Sequence, residues 1–263
     1  MQGQTLFKKS NIVTCVVVGT KRLKQRLNFL SNIADLIKIV YEVNLTDQHL
    51  VHLRKTPFWL RFKAVLISDL DHTEFRKCNE MVVKIIQTYS VQKGKFVIGG
   101  RPVEFTDEDV RLLFRLQCGN AFLDLTARPR PIVDFVQQRC RGVSRITMKF
   151  VRDLPVDAAV GSTPIEFEDT AKLLCLYACV KLFFSTSGES VSWTFVRYMD
   201  NLDAMKLYDW VGWVRSTLMC SVRDFHWTPH KVTGCVIALP YWLYEHTSIV
   251  EATSAHMFPR FLK

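Results

Sequence analysis

A chain of 263 residues with 48% apolar and 23% charged side chains can bury a sizeable core, and it is too apolar to be a disordered polypeptide. Eighteen Phe and six Trp supply much of that core. The net charge of +10 is concentrated in two places. Residues 1–30 hold Lys8, Lys9, Lys21, Arg22, Lys24 and Arg26 and no acid, while residues 128–152 hold seven basic side chains against the single acid Asp134, so the rest of the chain is close to neutral. Such clusters suit a polyanion, nucleic acid being the commonest, although a solvated basic face and a frayed terminus have the same composition. The eight cysteines form no CxxC pair, and several, such as Cys175 and Cys179, lie in apolar helical runs. That is the pattern of reduced, buried thiols in an intracellular protein.

In chain order, residues 1–30 read as a basic N-terminal arm or a fragment of a preceding segment. The run from Ile12 to Val18 is far shorter than the roughly 20 residues of a membrane span and reads as a short strand. Lys21-Arg22-Leu23-Lys24 is a weak match to a nuclear-import signal. Residues 31–263 read as one mainly α, multi-helix domain. Ile33, Leu36, Ile37 and Val40 recur at helical spacing. Thr46 or Asp47 caps a short helix through Leu53, and Pro57 interrupts it. Residues 78–89 form another helix, with Met81, Val82, Ile85, Ile86 and Tyr89 on one side.

A small β-hairpin is expected over residues 95–105, with Gly99-Gly100 supplying the positive φ of a tight turn and Pro102 marking an edge strand. Thr106 then caps a helix, with Asp109 completing a capping box. Residues 125–131 read as a loop. The basic stretch from Pro131 to Arg152 is expected to contain two short helices broken at Arg141-Gly142. Residues 154–164, with Pro155, Gly161 and Pro164, read as a loop and as the candidate boundary between subregions. Phe167–Phe184 is too apolar for a surface helix and belongs in the core. Residues 202–222 are helical with one break, and residues 233–249 form a last apolar segment that Pro240 is expected to kink.

Several of these stretches resemble a domain of unknown function found in flowering plants. They are Arg54-Lys55-Thr56-Pro57-Phe58, Lys95 through Thr106, Leu116-Gln117-Cys118-Gly119, Tyr198-Met199-Asp200-Asn201-Leu202 and Ala238 through His246. The resemblance covers roughly residues 45–263. That group is similar to the aminotransferase-like plant mobile domain and occurs in transposon-derived proteins, often upstream of a SUMO-protease-like cysteine peptidase domain. Members usually continue beyond the position of Phe261, so the resemblance implies that the chain is a fragment. It implies a nuclear, non-enzymatic interaction module, or alternatively the N-terminal non-catalytic region of a SUMO-protease-like transposon protein.

The residues themselves support no complete catalytic set. A cysteine peptidase of that kind needs a His-Trp pair followed by an acid or Asn, a Gln and the nucleophilic Cys. His226-Trp227 is present, but no Asp, Asn or Gln follows, and the only later cysteine, Cys235, sits in an apolar run. Cys220, His226, His230 and Cys235 are four candidate zinc ligands within 16 residues, at a spacing unlike known zinc patterns. The alternative is two buried thiols flanking a loop with two histidines. Gly99-Gly100 lacks the flanking residues of a phosphate loop. Nothing resembles a pyridoxal phosphate site. No cofactor and no membrane partner is expected. Nucleic-acid or protein-partner binding is expected at Arg128, Arg130, Arg139, Arg141, Arg145, Lys149 and Arg152. Arg141, Arg145, Lys149 and Arg152 would share one face of a helix, unless Gly142 delays its start.

Overall fold

A computed structural model describes residues 29–68, 79–126, 130–186, 188, 190–229 and 231–247. The expected strand at 12–18, nearly all of the N-terminal arm, and the side chains of Arg128 and His230 lie outside them. The described residues are mainly helical, with twelve α-helices and five short strands.

Helix α1 (Ile33–Glu42) opens on Asn32, whose side chain accepts from the Ala34 amide. It buries Ile33, Leu36, Ile37, Ile39 and Val40, the stripe its sequence spacing predicts. Helix α2 (Asp47–Leu53) starts after Thr46. Pro57 ends that stretch, but the chain then re-enters a helix, α3 (Trp59–Ile67), which carries the fully buried Arg61. Helix α4 (Asn79–Gln87) leads into an antiparallel sheet of β1 (Tyr89–Ser90), β2 (Lys95–Ile98) and β3 (Arg101–Val103), in that spatial order. The hairpin register pairs Ile98 with Arg101 and Phe96 with Val103. Gly99 and Gly100 have φ of +56° and +80°, the values its turn requires, and Pro102 lies on the edge strand. Thr106 caps α5 (Asp107–Phe114), and the Asp109 carboxylate accepts from the Thr106 amide and hydroxyl.

The basic region departs from expectation. Helix α6 (Asp134–Arg139) ends at Cys140, and Gly142 has φ of +73°. The chain then pairs β4 (Ile146–Thr147) with β5 (Ser190–Val191), and only after Thr147 does α7 (Met148–Ala159) begin. Helix α7 carries the buried Pro155 within it, so the expected loop over 154–164 shrinks to 160–163. Pro164 itself occupies the first turn of α8 (Pro164–Ala178), where proline costs no hydrogen bond.

Helix α8 is the spine. Every residue from Asp169 to Ala178 is buried, as an all-round apolar helix must be. It packs most extensively on α7 and α2 and also on α9 (Trp193–Met199). It continues as a π-helical turn, Cys179–Phe183, closed by the Phe184 amide on the Cys179 carbonyl, while the Lys181 carbonyl accepts from the Asn32 amide. Phe183 contacts Phe58 and Phe114, both at 5.4 Å between ring centres. After α10 (Leu202–Met205), α11 (Trp210–Phe225) brings Trp210 against Phe58. Helix α12 (Ala238–His246) closes the core with Trp242. Pro240 lies in its first turn, where no kink is needed. Among the described residues no helix is long and apolar enough to cross a membrane.

Candidate nucleic-acid interface

The expected helical face of four cations does not form, because Arg141 and Arg145 precede the start of α7 while Lys149 and Arg152 lie within it. The cause is local. Gly142 adopts a left-handed turn, and the Thr147 hydroxyl accepts from the Phe150 amide to start the helix there.

The structure instead sorts the six described cations by their partners. Arg139 donates through Nε to the buried Asp169 at 2.5 Å, and Arg152 donates to Glu42 at 2.5 Å with Asp153 at 3.4 Å. The hydrogen bond to Glu42 is the main reason the Arg152 guanidinium holds its proton still more firmly than usual. These two are structural ion pairs. The other four meet no carboxylate among the described residues. Arg130 donates to the carbonyls of Val143 at 3.2 Å and Cys140 at 2.9 Å, and its guanidinium lies 5.1 Å from the Trp193 ring centre. Arg145 donates to the Ser190 hydroxyl at 2.8 Å. Arg141 and Lys149 are exposed. Carbonyl and hydroxyl acceptors hold a guanidinium in place without cancelling its charge, so Arg130 and Arg145 are fixed cations.

Arg130 and Arg141 both line a cleft of about 490 Å³, together with Pro131, Ile132, Val136, Gln137 and Gly142. Trp193, which supports Arg130, also donates its indole N–H to the Ser144 carbonyl at 3.4 Å. Trp193, Ile132 and Gln137 carry no charge pattern that would mark them in the sequence. Trp193 does not line the cleft but reaches Arg130 through β4–β5 pairing, and two-residue strands leave no periodic signal.

Comparison with known families matches residues 69–240 to a domain of unknown function, DUF8566. The chain belongs to the DUF8566 family. The matched stretch runs from before α4 into the first turn of α12, and it contains every cation of the basic region and the whole cleft beside Arg130. No curated protein and no solved structure matches this DUF8566 chain.

Among the described residues of the DUF8566 fold, the candidates Cys220, His226 and Cys235 form no metal cluster. His226 directs Nε2 at the Ile86 carbonyl, 3.1 Å away, so that nitrogen carries a proton and donates. Cys220 is exposed on the outer face of α11, and Cys235 is fully buried. Burial drives the Cys235 thiol well above its ordinary range, against the opposing charge of Arg61. Cys175 is pushed up to about 12 and Cys140 to about 11, both chiefly by burial. Nucleophilic chemistry needs a thiolate, and these sites favour the thiol. Among the described residues no three His, Cys, Asp or Glu side chains gather to share a metal ion.

Proposed function

We propose that this DUF8566 chain is a non-enzymatic, nuclear module that binds nucleic acid through Arg130, Arg141, Arg145 and Lys149, as part of a plant transposon-derived protein. The observation that carries the reading is the division among the cations. Arg139 and Arg152 are consumed by carboxylates, whereas these four keep their charge on or near the surface. Uncompensated cations clustered within about 20 residues can displace counterions from a phosphate backbone, which is the main term in sequence-independent binding. The buried thiols argue against cysteine catalysis by this region. The resemblance to plant transposon-associated domains supports the same setting.

The test is charge reversal. Arg141→Glu, Arg145→Glu and Lys149→Glu together should abolish retention on heparin and on DNA at modest salt while circular dichroism stays unchanged, since all three side chains are exposed. Wild-type affinity should fall steeply with salt. An unaltered elution position for the triple variant would remove nucleic acid as the partner and leave the surface to a protein.

A further inference from the structure

The cleft between Arg130 and Arg141 has features that a plain phosphate-binding surface does not need. Its volume of about 490 Å³ falls within the roughly 300–1,000 Å³ of small-ligand sites. Pro131, Ile132 and Val136 add apolar atoms to a lining that is otherwise polar, and Ile132 is 88% exposed, so its side chain is open to a ligand. Gln137 places an amide, both donor and acceptor, on the same lining. Arg130 stands as a fixed plane. Two carbonyls hold its edge and the Trp193 indole lies against it. Arg141 supplies an exposed cation to the same lining and meets no carboxylate among the described residues.

We infer that this cleft is a nucleotide subsite for single-stranded nucleic acid. The inference rests on the nucleic-acid reading above and specifies how that surface is used. An unstacked base enters against Ile132 and Pro131 and extends the Trp193–Arg130 stack by one layer. The Gln137 amide meets the polar edge of the base, and Arg141 takes the adjoining phosphodiester. Single strands are bound in this way elsewhere, because bases stack on aromatic rings and guanidinium planes and every base has such a face. A regular duplex keeps its bases paired and stacked and cannot fill the cleft. It would meet only the outer charges of Arg145 and Lys149.

The experiment uses the full chain and fluorescence anisotropy with three probes matched in charge. These are a 12-nucleotide oligo-dT, the corresponding oligo-rU, and inorganic polyphosphate as competitor. The expected result is that either oligonucleotide binds at least about tenfold more tightly than polyphosphate. DNA and RNA arms that differ show whether the sugar is read as well. Ile132→Ser and Arg130→Lys should each remove most of that preference, and oligonucleotide binding should quench Trp fluorescence. Arg141→Ala should lower the slope of log affinity against log salt by roughly 0.7, one single-strand phosphate contact. Equal affinity for oligonucleotide and polyphosphate would overturn the subsite while leaving the basic surface intact. Absence of binding to all three probes would overturn both. Arg130 also braces the 140–143 turn, so its variant is judged only beside an unchanged unfolding midpoint. Ile132→Ser touches no core packing, and retained preference in that variant is by itself sufficient to overturn the subsite.

Discussion

At the scale of single residues, the basic region shows why charge and site are different properties. Seven cations are visible in the sequence between residues 128 and 152, but the acids that hold Arg139 and Arg152 most closely are distant in it. Asp169 lies 30 residues from Arg139, and Glu42 lies 110 from Arg152. Only the packing of α6 and α7 on α8 and α1 decides which arginines are neutralised. Arg139 is therefore a stability residue. Asp169 is 2% exposed, and truncating its partner leaves a buried carboxylate without its donor. Arg139→Ala should lower the unfolding free energy by about 2 kcal/mol in urea titration, the range of a hydrogen bond to a charged group. It should change heparin retention less than Arg141→Ala does. An unchanged midpoint would mean that the carboxylate finds other partners.

At the scale of elements, legibility followed the strength of the local signal. The hairpin at Gly99-Gly100, the capping box at Thr106 and Asp109, and the core helix α8 each rest on a few adjacent residues and appear as expected. Elements that tertiary pairing creates were not legible. Strands β4 and β5 exist because Ile146 meets Val191, and α7 runs through Pro155 because its buried face packs on α8. The expected shared face of Arg141, Arg145, Lys149 and Arg152 failed for a local reason, the left-handed Gly142 and the Thr147 cap that delays α7. A close tertiary approach also fixes the 118–122 segment. The Gly119 amide donates to the Lys206 carbonyl at 2.5 Å, and a Cβ at Gly119 would press on the backbone of Leu207. Backbone cannot rotate aside as a flexible side chain can. Gly119→Ala should therefore cost roughly 1–3 kcal/mol, as overpacking does. Wild-type stability in that variant would show that the 118–122 and 206–209 segments do not meet this closely.

At the scale of the whole molecule, composition predicted a large aromatic core, and the fold buries Phe58, Phe114, Phe183, Trp210 and Trp242 in it. The cleft beside Arg130 lies within residues 130–142, but it was not legible, because its shape depends on the left-handed turn at Gly142 and on Arg130 folding back onto the Cys140 and Val143 carbonyls. Tertiary packing sets a pH dependence. His49 and His52 lie on α2 where it packs against α8, with Phe167 edge-on to His49 at 4.8 Å. Burial lowers the pKa of His49, and the neighbouring His52 adds to the effect. Burial also lowers that of His52, with Lys55 and Lys172 reinforcing it and Glu168 and Asp203 opposing it. His49 accepts the Thr46 amide through Nδ1 at 3.1 Å, a bond that needs the neutral ring. A base whose folded pKa lies below its unfolded value takes up its proton first in the unfolded chain. Stability from these two groups is thus full above the ordinary histidine range and is lost as pH falls below about 6.5. Unfolding free energy measured by urea should be level from pH 8 to 7 and then decline by at most about 1.4 kcal/mol per pH unit for each group. His49→Gln keeps a capping-box acceptor at the third helical position while removing one titrating ring, so its decline should be shallower. A wild-type profile that stays level from pH 7 to pH 5 would show that neither imidazole is held neutral against α8.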